Sequence, residues 1–93
     1  LSTTSPADRE VKIRNLRGLH ARAAAKFVKL AGGFDARVSV SKNGQTVSGE
    51  SIMGLMMLAA GPGCTIRLSA EGNQAAAALD ALCDLVEAKF HED

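Results

Sequence analysis

The sequence predicts an α+β fold: an open-faced two-layer sandwich in the order β-α-β-β-α-β-α, with three helices on one face of a four-stranded sheet. Two observations lead there. Val11 to Asn15, Ala36 to Ser41 and Cys64 to Ala70 each alternate apolar and polar residues, as half-buried strands do. Longer stretches between them carry apolar residues at helical spacing. A strand that is apolar on one side only leaves one sheet face open, so the helices must cover the other.

Leu1 to Asp8 is rich in Ser and Thr and reads as a flexible tail, leaving a single domain over residues 9–93. The first strand, Val11 to Asn15, is followed by a turn at Gly18. An alanine-rich helix comes next, with Ala24, Phe27, Val28 and Ala31 inward at i, i+3, i+4, i+7 and Arg22, Lys26 and Lys29 on its other face. Gly32-Gly33 ends it. Asn43-Gly44 is a hairpin signal that joins the second strand to a short return strand, Gln45 to Ser48. Ser51 opens a short helix, Ile52 to Leu58, and Gly61-Pro62-Gly63 is a turn. After the last strand, Leu79, Leu82, Cys83, Val86 and Phe90 form the buried stripe of the final helix.

Ninety-three residues allow one modest core. The formal net charge of +1 supplies no field that would select nucleic acid or anionic lipid. No apolar run approaches membrane-spanning length, and the start lacks the apolar region of a signal peptide. Cys64 and Cys83 show no metal or disulfide spacing and read as reduced thiols of a cytoplasmic protein. Glu50, Glu71, Asp80 and His91 form no catalytic or metal-binding pattern, so neither metal nor cofactor is expected.

The chemistry concentrates in Asn15-Leu16-Arg17-Gly18-Leu19-His20-Ala21-Arg22-Ala23. A helix start leaves backbone N–H groups unpaired and partly positive, which suits an anion. His20 and Arg22 fall there, a nucleophile and a forked cationic donor. Gly18-Leu19-His20-Ala21-Arg22-Ala23-Ala24 resembles the active-site motif of the HPr phosphocarriers of the bacterial phosphotransferase system, G-L-H-x-R-P-A. Ser51-Ile52-Met53-Gly54-Leu55-Met56 is similar to that family's regulatory-serine helix, in the same order and at the same separation. The resemblance covers roughly Glu10 to Phe90. Ala23 departs from it, standing where the family usually has proline, which should loosen the site without abolishing its chemistry.

The resemblance implies an antiparallel sheet in spatial order 1-4-2-3. It implies a phosphoryl group on Nδ1 of His20, contacts from Arg22 and regulatory phosphorylation at Ser51. It also implies a partner-binding patch of Arg17, Ala21, Lys26, Lys29, Ile52, Met53 and Met56. The implied partners are a phosphoenolpyruvate-dependent Enzyme I as donor, an Enzyme IIA-type acceptor in sugar uptake or nitrogen-type regulation, and an HPr kinase/phosphorylase, with the chain acting as a monomer. Two rival readings use the same residues. One is a pure regulator controlled through Ser51. The other is an RNA-binding module, against which stands the outward strand face: Lys12, Arg14, Arg37, Ser39, Thr65, Arg67 and Ser69 include no aromatic on which a base could stack.

Overall fold

The computed structural model describes residues 7–92. Strands β1 (Ala7–Lys12), β2 (Arg37–Lys42), β3 (Gln45–Ser48) and β4 (Thr65–Glu71) form one antiparallel sheet in the order β1-β4-β2-β3. Helices α1 (Ala21–Ala31), α2 (Ile52–Met57) and α3 (Ala75–Glu87) complete the fold, with a single tight turn at Lys89–His91. Among the described residues no helix is long and apolar enough to cross a membrane.

Strand β1 starts earlier than alternation suggests. Residues 1–6 of the expected tail lie outside the described residues, while Ala7 and Asp8 already pair with Ala70 and Ser69. Polar residues hold this end of the strand. Arg9 reaches Asp80 on α3 at 2.6 Å, and Glu10 on the opposite face accepts from Arg67 at 3.2 Å. A hydropathy pattern cannot register such pairs. Strands β2 and β4 each lie one residue later than expected. The Asn43-Gly44 hairpin forms as its sequence predicts, with φ of 51° and 83°. Both central residues of this turn class need positive φ, which Asn tolerates and Gly adopts freely.

The core lies between sheet and helices. Val38, Val40, Ile66 and Leu68 from the strands meet Ala24, Phe27 and Ala31 of α1 and Leu79, Leu82 and Val86 of α3, all buried. Burying a side chain such as Phe27 contributes about 1.5–3 kcal/mol. Two inward assignments change. Val28 is only half-buried, because the buried stripe is centred on Ala23, Ala24, Phe27 and Ala31 and leaves Val28 at its edge. Phe90 is buried, but not as part of α3, which stops at Glu87. It sits in a turn where Lys89, Phe90 and His91 all have left-handed φ, 60°, 55° and 60°. Each such residue costs about 1–2 kcal/mol. Full burial of the Phe90 ring offsets part of that cost, and the turn sends the chain back toward the start of α1.

Candidate functional site

The segment between β1 and α1 is shaped by close backbone packing. Gly18 N–H donates to Asn15 O at 3.2 Å and closes a turn, and Leu19 N–H donates to Ala60 O at 3.0 Å. Gly18 has φ +63°, and a Cβ there would stand 2.2 Å from Ala60 O. Only glycine fits. Leu19 is buried and pins the chain, so the next residue emerges at the head of the helix.

That residue is His20. It is the N-cap of α1 in extended conformation, and its carbonyl accepts from Ala24 N–H at 2.8 Å. Its side chain makes no capping bond. Among the described residues no backbone carbonyl accepts from the N–H groups of Ala21, Arg22 or Ala23, so the partial positive end of an eleven-residue helix faces the His20 side. Arg22 is exposed and, among the described residues, makes no ion pair or hydrogen bond. Ala23 is the third helical residue and is buried. Its N–H has no backbone acceptor to lose, so the missing proline removes a conformational restraint and no hydrogen bond.

The imidazole has a partner that its neighbourhood in sequence did not announce. His20 Nε2 lies 2.9 Å and 3.1 Å from the two carboxylate oxygens of Glu92. Asn15, fully buried, donates from Nδ2 to Glu92 Oε1 at 2.9 Å and to Gly18 O at 2.8 Å. Lys26 donates to Phe90 O at 2.7 Å and fastens the returning chain. Lys26 therefore is not the free cation expected on the exposed face of α1; Lys29 is exposed.

The Asn15 hydrogen bond chiefly holds the Glu92 carboxyl below its ordinary range, against the opposing effect of burial, with His20 and Lys26 assisting. Folding therefore favours the ionised form. This contribution is complete above the unfolded value of about 4.3 and fades as pH falls through the lower folded value. The wild-type melting temperature is expected to fall more steeply than that of Glu92→Gln between about pH 5 and pH 3. Parallel melting curves would show that the carboxylate is not held.

Ser51 is the N-cap of α2, its Oγ accepting from Gly54 N–H at 2.9 Å. Helix α2 packs against α1 and turns Leu55 inward. Ile52, Met53, Met56 and Met57 remain exposed, by 40%, 68%, 40% and 67%, an unusual share for six residues. Leu16, 79% exposed in the turn before His20, adds another large apolar side chain. Arg17 and Ala21 are exposed alongside it. Leu16 was missed in the sequence, although an apolar residue between Asn15 and Arg17 is a signal that could have found it. Nothing local marked Glu92, 72 positions from His20. Burial pushes the Cys83 thiol up, against the influence of Arg9.

Residues 7–88 match the family described as "PTS HPr component phosphorylation site". The phosphocarrier protein NPr of Shewanella violacea is 49% identical over 85 residues, covering 91% of this chain and 93% of that protein. The phosphocarrier protein HPr of Pseudomonas aeruginosa is 50% identical over 84 residues, covering 89% and 93%. A crystal structure of HPr from Thermoanaerobacter tengcongensis superposes with a TM-score of 0.89 at 42% identity, covering 94% of this chain and 98% of that one. With this fold and these relatives, the chain is a phosphocarrier of the bacterial phosphotransferase system. It belongs to the HPr family, in which HPr and NPr proteins stand together.

Proposed function

We propose that His20 accepts a phosphoryl group from phosphoenolpyruvate-dependent Enzyme I and passes it to an Enzyme IIA-type protein. The observation that carries this reading is the placement of a half-buried imidazole at the mouth of α1, beside N–H groups that have no backbone acceptor among the described residues. The Nδ1 lone pair attacks phosphorus in line as the bond from phosphorus to the donor breaks. Charge on the three phosphoryl oxygens is met by the helix N–H groups and Arg22. Arg22 lies in water, where its attraction is screened, so the group can leave again. The parts come from one chain, which acts as a monomer. Cys64 and Cys83 are free, as suits the reducing cytoplasm.

The exposed apolar side chains of α2, with Leu16, Arg17, Ala21 and Lys29, form the docking face in this reading, while Lys26 is engaged with Phe90 O at its edge. Methionine adapts to partners of different shape, and the cations steer acidic ones. The test is a label chase. With labelled phosphoenolpyruvate and Enzyme I the chain should take up label and lose it when an Enzyme IIA-type protein is added. No uptake, or uptake without discharge, would contradict the reading. Arg22→Ala should keep the fold and slow uptake without abolishing it, because the helix N–H groups remain. An unchanged rate would remove Arg22 from the site.

We also propose that Ser51 is a regulatory phosphorylation site for an HPr kinase/phosphorylase. Ser51 Oγ keeps a second lone pair while it accepts from Gly54 N–H, and a phosphate on it is welcome at a helix start. It would place about −1.5 to −2 charges beside Ile52, Met53 and Met56. Aspartate is itself a good N-cap. Ser51→Asp should therefore leave the circular dichroism spectrum unchanged and slow uptake from Enzyme I. Loss of helical signal would give Ser51 a folding role instead, and unchanged kinetics in a folded variant would show that the charge is not read.

A further inference from the structure

We propose that Asn15 is a positioning residue for phosphoryl transfer, which through Glu92 keeps the hydrogen of the neutral His20 ring on Nε2 and presents Nδ1 as the nucleophile. The inference rests on the carrier reading of His20 and assigns work to two residues that the reading leaves idle.

A carboxylate accepts hydrogen bonds and cannot donate them. Both oxygens of Glu92 lie within 3.1 Å of His20 Nε2, so Nε2 is the donor. A neutral imidazole carries one ring hydrogen, and Nδ1 is then left with its lone pair. The carboxylate is itself aimed by Asn15, whose Nδ2 divides its two hydrogens between Glu92 Oε1 and Gly18 O. One amide thus braces the turn before His20 and the carboxylate behind it.

Asn15 is an expensive choice for a purely structural position. It is fully buried, and its Oδ1 has no hydrogen-bond partner among the described residues. A buried acceptor left unmade is destabilising, and an apolar side chain of similar size would avoid that. The amide is useful for what its donors hold. The left-handed turn at Lys89–His91 and the bond from Lys26 to Phe90 O deliver Glu92 to this place at some backbone cost.

In the transfer step one bond forms, from Nδ1 to phosphorus, as the donor's bond to phosphorus breaks. The Nε2 hydrogen stays where it is, so no proton has to leave the ring during attack. The ring gains positive character, which the adjacent Glu92 carboxylate balances.

The test combines kinetics, a double-variant cycle and ring nitrogen NMR on the full chain. Glu92→Ala and Asn15→Ala should each lower kcat for uptake from Enzyme I roughly tenfold, leaving KM near wild type because neither lies in the docking face. Combining them should cost no more than either alone, since Asn15 acts through Glu92. The wild-type ring should show a hydrogen on Nε2 and a bare Nδ1, and Glu92→Ala should mix the two tautomers. Unchanged kcat in Glu92→Ala would overturn the proposal. So would an unchanged ring spectrum, or a full further loss from Asn15→Ala when Glu92 is already absent. If Asn15→Ala fails to fold, Glu92→Ala decides by the same two readouts. Wild-type chain that takes no label would defeat the carrier reading itself, whereas the ring spectrum needs no donor and separates the two failures.

Discussion

Gly18→Ala is expected to melt roughly 8 to 40 °C below wild type and to take up phosphoryl groups poorly even where it is folded. Two costs add. Alanine at φ +63° is strained by about 1–2 kcal/mol. Its Cβ would also stand 2.2 Å from Ala60 O and 2.9 Å from Gly61 Cα. Both are backbone atoms, so the two loops must separate, and forced repacking of this kind costs about 1–3 kcal/mol. At about 4–8 °C per kcal/mol in a domain of this size, the sum gives the stated range. The functional loss has the same origin. Leu19 N–H holds Ala60 O, and that register sets where His20 emerges. A melting temperature within a few degrees of wild type would mean that the two loops can part freely.

His20→Ala is expected to abolish uptake while leaving the fold in place. The side chain makes no capping bond and lies outside the core, and the helix keeps its first backbone bond, from Ala24 N–H to the residue 20 carbonyl. Its one polar partner among the described residues is Glu92, which still has Asn15. The melting temperature should therefore change little. The nucleophile is gone, and none of the groups around it can replace it. Glu92 is a poor phosphoryl acceptor facing the wrong side of the ring, and the helix N–H groups only stabilise charge. Residual labelling of a folded His20→Ala protein would place the acceptor elsewhere.

Most of the architecture was legible because it depends on local pattern. The sheet order β1-β4-β2-β3 came only with the HPr resemblance, since alternation cannot say which strands are neighbours. The Asn43-Gly44 hairpin and the Ser51 cap were readable because each follows from a rule spanning at most a few residues. Strand β1 was placed late because Asp8, Arg9 and Glu10 are three polar residues in a row, paired to β4 through the backbone and showing no apolar alternation. The same limit hid the ring partner of His20. A left-handed turn built from Lys89, Phe90 and His91 has no sequence signature, for it depends on a distant pocket that accepts the Phe90 ring. Asn15 was visible only as one more polar residue at the end of a strand. Its meaning comes from burial and from two acceptors, one 77 positions away.

The central claim is that phosphorus becomes bonded to the His20 ring. The most direct measurement is the chemistry and position of the label after incubation with phosphoenolpyruvate and Enzyme I. The account predicts one phosphoryl group per chain, labile in acid and stable in base, on the peptide containing His20, with phosphorus on Nδ1 by NMR. Acid-stable label, label on Ser51, or label on a peptide lacking His20 would contradict it.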